Sequence, residues 1–129
     1  ESLGLKDPRK NFPPFPNYHV RTNAFMASRH TLLRIRVGLM FLKMSTYALE
    51  SGRDSLTNQI LRLGLKALVV NRNGEAFEKE YWHLSNTFRQ SLQQDLLVSD
   101  TQTETYIAAD GENRALLARR AWGQFARPA

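Results

Sequence analysis

The hydrophobic pattern changes its period near residue 38, and this change limits the possible folds more than any other feature of the chain. In "TLLRIRVG", residues 31–38, Leu33, Ile35 and Val37 alternate with Arg34 and Arg36. A period of two sends successive side chains to opposite faces of a strand. The spacing therefore predicts a strand over 31–37 with one apolar and one basic face. A helix also fits, because apolar residues on both sides would extend it; Gly38 and the β-branched pair Ile35 and Val37 weigh against it. From Leu39 the period lengthens. Met40, Met44, Tyr47 and Ala48 share a helical face, with Phe41 adjacent, and the helix is expected to stop near Gly52.

A second helix of about seventeen residues is predicted next, capped by Asp54 or Ser55. Leu56, Ile60, Leu63, Gly64 and Ala67 mark one face, and Leu61, Leu65, Leu68 and Val69 another. A helix apolar around its girth is buried on most sides, and in a chain this small a second subunit is the expected cover. Gly64 costs about 1 kcal/mol in a helix interior, which a close helix–helix approach would explain. "NRNG" at 71–74 reads as a break. A third helix is expected from Phe77 through Tyr81, Leu84, Phe88 and Leu92 to about Val98. "SDTQTETY" reads as polar linker. A final helix is expected over 112–125 on Leu116, Leu117, Trp122 and Phe125.

The front differs in kind. Pro8, Pro13, Pro14 and Pro16 exclude a helix from residues 1–22. The segment reads as an arm, or as a strap pinned by Phe12, Phe15 and Tyr18. A short helical turn is expected over 23–29 with Asn23 as cap. Three regions result: an arm at 1–29, a core at 30–72 and a helical extension at 73–129.

Charge separates these regions. The chain carries a formal net charge of +6. Residues 1–37 hold seven Lys/Arg against two Asp/Glu, residues 38–72 five against two, and residues 73–129 six against eight. A basic front predicts an anionic partner. No cysteine is present, so disulfides, thiolate metal sites and cysteine catalysis are excluded. The most apolar stretch, 31–49, is interrupted by Arg34, Arg36 and Lys43, so no membrane partner is expected. No signal-peptide pattern is visible, and the start at Glu1 without methionine fits a fragment or a processed chain.

Strand, helix, tight turn and helix in this order resemble the ribbon-helix-helix family of DNA-binding proteins, the class of the Arc and Met repressors. "LLRIRVG" followed by "LKMSTYALESGRDSLTNQILRLGLKALV" carries the resemblance, over about a third of the chain. The long flanks look like those of AcaB-type activators of conjugative plasmids. The resemblance implies a mainly α fold with one short strand per chain, in which two copies pair their strands into an antiparallel ribbon. Such a ribbon fits the DNA major groove. Its outer face would read bases with Arg34 and Arg36, and with Leu32 and His30 toward its start; an arginine fork suits guanine O6 and N7. Leu33, Ile35 and Val37 would turn inward and, with Ile60, Leu63 and Gly64, form the dimer core. The start of the second helix would hold a backbone phosphate through Ser55 and Leu56, with Arg53 and Lys43. Asp54 departs from that pattern, because a carboxylate competes for the same N–H groups.

The function implied is a dimeric, sequence-specific transcription regulator, activator or repressor, in a bacterial cytoplasm and connected with plasmid conjugation. Its partners would be double-stranded DNA, a second copy, and RNA polymerase or a second dimer at the C-terminal region. The competing reading is a basic helical subunit of a large, organellar assembly, with Arg34 and Arg36 on one helix from about Asn23 to Glu50. Other chemistry is not expected. His19, His30 and His83 lack ligand spacing, Glu75, Glu78 and Glu80 read as a wet helix face offset by Lys79, and Arg119 and Arg120 as surface charge. Neither a nucleophile elbow nor a phosphate-binding glycine loop is present, so neither an enzyme nor a cofactor is expected.

Overall fold

In the computed structural model, which describes residues 12–37 and 43–129, helices begin where a short polar side chain takes up a free backbone N–H. Ser28 caps α1 (Arg29–Leu32) by accepting from the Thr31 N–H at 3.1 Å. α2 spans Lys43–Ser51. Ser55 caps α3 (Leu56–Arg62). Asp100 caps α4 (Thr101–Ala108) through a reciprocal box with Thr103, and Asp110 caps α5 (Gly111–Trp122). Among the described residues the chain is mainly helical, with one small antiparallel sheet that pairs β1 (Val69–Val70) with β2 (Ala76–Phe77). It divides into two units, Glu1–Leu65 and Lys66–Ala129.

The first unit holds α1, α2 and α3. The strand expected over 31–37 is not found there. Thr31 and Leu32 close α1, and two turn bonds follow, Arg34 N–H to the Thr31 carbonyl at 3.0 Å and Ile35 N–H to the Leu32 carbonyl at 3.2 Å. The segment satisfies these backbone groups locally. The continuous helix over 23–50 is absent as well, since α1 ends at Leu32 and turns follow. The short helix starts at Ser28 rather than Asn23. Gly38, Met40 and Phe41 lie outside the described residues.

Gly52 stops α2 as expected: a Cβ there would stand 2.5 Å from the Ala48 carbonyl oxygen. α3 is far shorter than expected, and Gly64 is the reason. It adopts a φ of +73°. Its N–H bonds the Leu61 carbonyl at 3.0 Å, and the Leu65 N–H bonds the Ile60 carbonyl at 3.2 Å. This is the double closure of a helix end in which glycine takes the left-handed position. A Cβ on Gly64 would meet nothing within 4 Å, so the glycine serves a turn and not a close helix approach.

The second unit overturns the third helix. Residues 76–98 form β2, a 3-10 helix (Lys79–Leu84) and an irregular run. Asn86, Arg89, Ser91 and Gln93 all have φ between 45° and 53°, which no right-handed helix contains. Side chains hold this run in place of a helical ladder. The buried Gln90 donates to the Phe125 carbonyl at 2.8 Å and accepts from the Arg127 N–H at 2.6 Å. Gln93 accepts from the Arg89 N–H at 2.7 Å and donates to the Thr103 carbonyl at 3.0 Å. Trp82 and Trp122 are buried, and each indole N–H finds a carbonyl, Phe77 at 3.0 Å and Phe88 at 2.6 Å. Tyr106 is fully buried, its hydroxyl on the Ser91 carbonyl at 2.9 Å. The expected linker over 99–106 is instead mostly α4. The expected final helix is present as α5, followed by a 3-10 turn at Gly123–Phe125.

Candidate nucleic-acid interface

Charge follows the division into units. Residues 1–65 carry ten Lys/Arg against four Asp/Glu, and residues 66–129 carry eight against eight. The whole net charge of the chain thus belongs to the first unit, which is where an anionic partner would be attracted.

The arm of that unit is a strap. Asn17 Nδ2 donates to the Ser51 carbonyl at 2.6 Å, at the end of α2. The Val20 N–H donates to Thr57 Oγ1 at 2.7 Å, on α3. The Thr22 N–H and hydroxyl donate to Glu50 Oε1 at 2.9 and 3.2 Å. The hold is polar, and Phe15 stays exposed. Tyr18 is partly desolvated, and burial pushes its phenol above the ordinary value.

Past the strap, the chain presents Arg29, His30, Leu32, Arg34 and Arg36, all exposed. Four of these are the expected base-reading residues; Arg29 is an addition that the alternating pattern could not include. The segment is anchored at its far end by Gln59 of α3, whose side-chain amide bonds both backbone groups of Arg36. The Arg36 N–H donates to Gln59 Oε1 at 2.7 Å, and Gln59 Nε2 donates to the Arg36 carbonyl at 3.1 Å. The same Nε2 donates to the Asp54 carbonyl at 2.9 Å. Gln59 is only 6% exposed, and three of its four hydrogen-bonding positions are filled. Sequence reading missed it. The available signal was weak: Gln59 falls three residues after Leu56 on α3, next to Ile60, on the side of the helix expected to be buried.

The expected dimer-core residues are dispersed. Leu33 is 74% and Val37 57% exposed. Ile35, Ile60 and Leu63 are half-buried, and Gly64 is exposed. Of the expected phosphate contacts, Lys43 and Arg53 are exposed, whereas Ser55 and Leu56 are buried. The Ser55 hydroxyl accepts from the Asn58 N–H at 3.3 Å, so it caps its own helix and does not face solvent. Asp54 pairs with Arg62, and Lys43 lies 5.7 Å from the centroid of the Tyr47 ring.

The second unit offers other titratable groups but no comparable array. His83 stacks on Phe125 with ring centroids 4.5 Å apart. Partial burial, then the Arg127 guanidinium, hold its imidazole below the ordinary 6.5. Asp110 is held low by the backbone and side-chain N–H donors of Asn113. Arg114 donates to carbonyls at the end of α4, at Tyr106, Ile107 and Ala109. Among the described residues no group of three or more His, Asp or Glu could hold a metal ion, and no helix is long and apolar enough to cross a membrane. No family model, curated protein or solved structure matches the chain.

Proposed function

We propose that this protein is a DNA-binding transcription regulator whose first unit contacts double-stranded DNA through Arg29, Arg34 and Arg36. The observation that carries the reading is the coincidence of the whole net charge with one unit, and within it of three exposed arginines on a segment whose end at Arg36 is held by Gln59. Diffuse charge provides salt-sensitive attraction to any duplex. Arginines on a held backbone can add base discrimination.

The active form in this reading is a homodimer. Exposed Leu33 and Val37 leave apolar surface that a second copy would cover. To form a ribbon, residues 33–37 of the two copies would extend, and the Ile35 N–H would exchange its turn bond to the Leu32 carbonyl for a bond across the pair. The trade preserves backbone hydrogen bonding while burying apolar side chains, so it is favourable only on association.

The test is binding to duplexes selected from a random pool, with sizing of the free protein and the complex. Specific sites are expected to bind about a thousandfold tighter than random DNA. Arg34→Ala and Arg36→Ala should each weaken specific binding by about tenfold or more with unchanged circular dichroism. Lys43→Ala and Arg53→Ala should weaken all duplexes alike, lowering the salt slope by about one unit per lost phosphate contact. Unchanged specific binding in both arginine variants, or a monomer on DNA, would overturn the reading.

A further inference from the structure

Gln59 bonds both backbone groups of Arg36. A single amide that accepts from one residue's N–H and donates to the same residue's carbonyl requires both groups to point the same way. That is the disposition of an extended residue facing a strand partner. The α3 side chain therefore stands in for one residue of a neighbouring strand. Because it also holds the Asp54 carbonyl, it ties the end of the basic segment to the start of α3.

From this two-point grip we infer that Gln59 is the positioning residue for Arg36; the inference rests on the DNA-binding reading above. In an extended residue the side chain leaves roughly perpendicular to the plane of its backbone bonds. Fixing the N–H and carbonyl of Arg36 therefore fixes the direction in which its guanidinium departs. The grip also covers one edge of the segment; once the Ile35 N–H leaves its turn bond to the Leu32 carbonyl, the backbone of residues 35 and 37, facing the other way, is the edge on which a second copy can pair. Arg29 depends on neither effect, since its backbone belongs to α1 under the Ser28 cap.

The experiment is a double-mutant cycle. Gln59→Met keeps the length and bulk of the side chain and removes its three hydrogen bonds. Affinity for a fixed mixed-sequence DNA duplex is measured at one salt concentration in the wild-type, Arg36→Ala and Arg29→Ala backgrounds. Gln59→Met alone is expected to weaken binding by about fivefold, the scale of one or two hydrogen bonds. It should have no further effect beside Arg36→Ala, and its full effect beside Arg29→Ala. Equal losses in the two backgrounds would mean a general structural role and would overturn the inference, as would no loss at all. Amide hydrogen exchange reads the grip without DNA. The Arg36 N–H should exchange at least about tenfold faster in Gln59→Met, and equal rates overturn the inference while leaving the arginine contacts standing. Absence of DNA binding in the wild-type chain would overturn the functional reading, and the positioning role with it.

Discussion

The two units solve the problem of a small core in opposite ways. The second is neutral and bonds its buried polar groups within itself. Its buried Trp82, Tyr106 and Trp122 all carry a polar atom, and each finds a carbonyl. Its buried Gln90 and Gln93 replace a missing helical ladder across a run with four left-handed residues. The first unit carries the charge. Of its buried polar residues, Ser55 caps α3, and Thr57 and Gln59 hold neighbouring segments by their backbones. The lesson is that buried polar side chains serve different ends in the two places. In the second unit they complete a fold, and in the first they hold an outward-facing segment still.

The largest expected effect tests closure of the second unit. Trp122→Ala removes a buried ring and its bond to the Phe88 carbonyl, and should cost about 3–5 kcal/mol. Denaturant unfolding followed by near-ultraviolet circular dichroism measures it. DNA affinity carried by the first unit should survive; parallel loss of both would break the contrast between the units. Next, Gln90→Leu strands the Phe125 carbonyl and the Arg127 N–H, for an expected loss of about 2 kcal/mol. A stability equal to wild type would show that water or a rearranged end replaces those bonds.

Within the first unit the effects are smaller. Gly64→Ala meets open space but must hold a left-handed residue, so about 1 kcal/mol of destabilisation is expected from conformation alone. A stabilising effect in thermal melts would mean that α3 continues through Gly64, as the sequence pattern suggested. The smallest effect belongs to His83. Its folded pKa lies below 6.5, so the unfolded chain takes up the proton first as pH falls. The contribution to stability is complete above about pH 6.5 and lost as pH falls through the folded value. His83→Phe keeps a ring against Phe125 and should flatten the acid side of the melting temperature profile between pH 8 and pH 5. An unchanged profile would remove His83 from the account.

Some of this was written plainly in the chain. Gly52 as a helix stop, a cap at Asp54 or Ser55, and a final helix over 112–125, found as 111–122 with a 3-10 turn after it, follow from local rules, because caps and tight turns need only residues adjacent in sequence. The basic front is likewise a matter of counting. The helix expected over 77–98 was misread for a definite reason. The spacing of Phe77, Tyr81, Leu84, Phe88 and Leu92 obeys a helical period, but the outcome rested on Gln90 and Gln93 meeting backbone groups at Phe125, Arg127 and Thr103, up to 37 residues away. No local pattern reports such distant partners.

The same division holds at the candidate site. Sequence alone determined which residues carry the charge and that Arg34 and Arg36 alternate with apolar neighbours, since composition and spacing are properties of the chain itself. Only tertiary structure decided the backbone course of 31–37, because an extended segment takes its hydrogen bonds from whatever lies beside it. Here that neighbour is one glutamine amide at Arg36 and, just before it, the chain's own turn. For that reason the arginines could be identified from spacing and Gln59 could not.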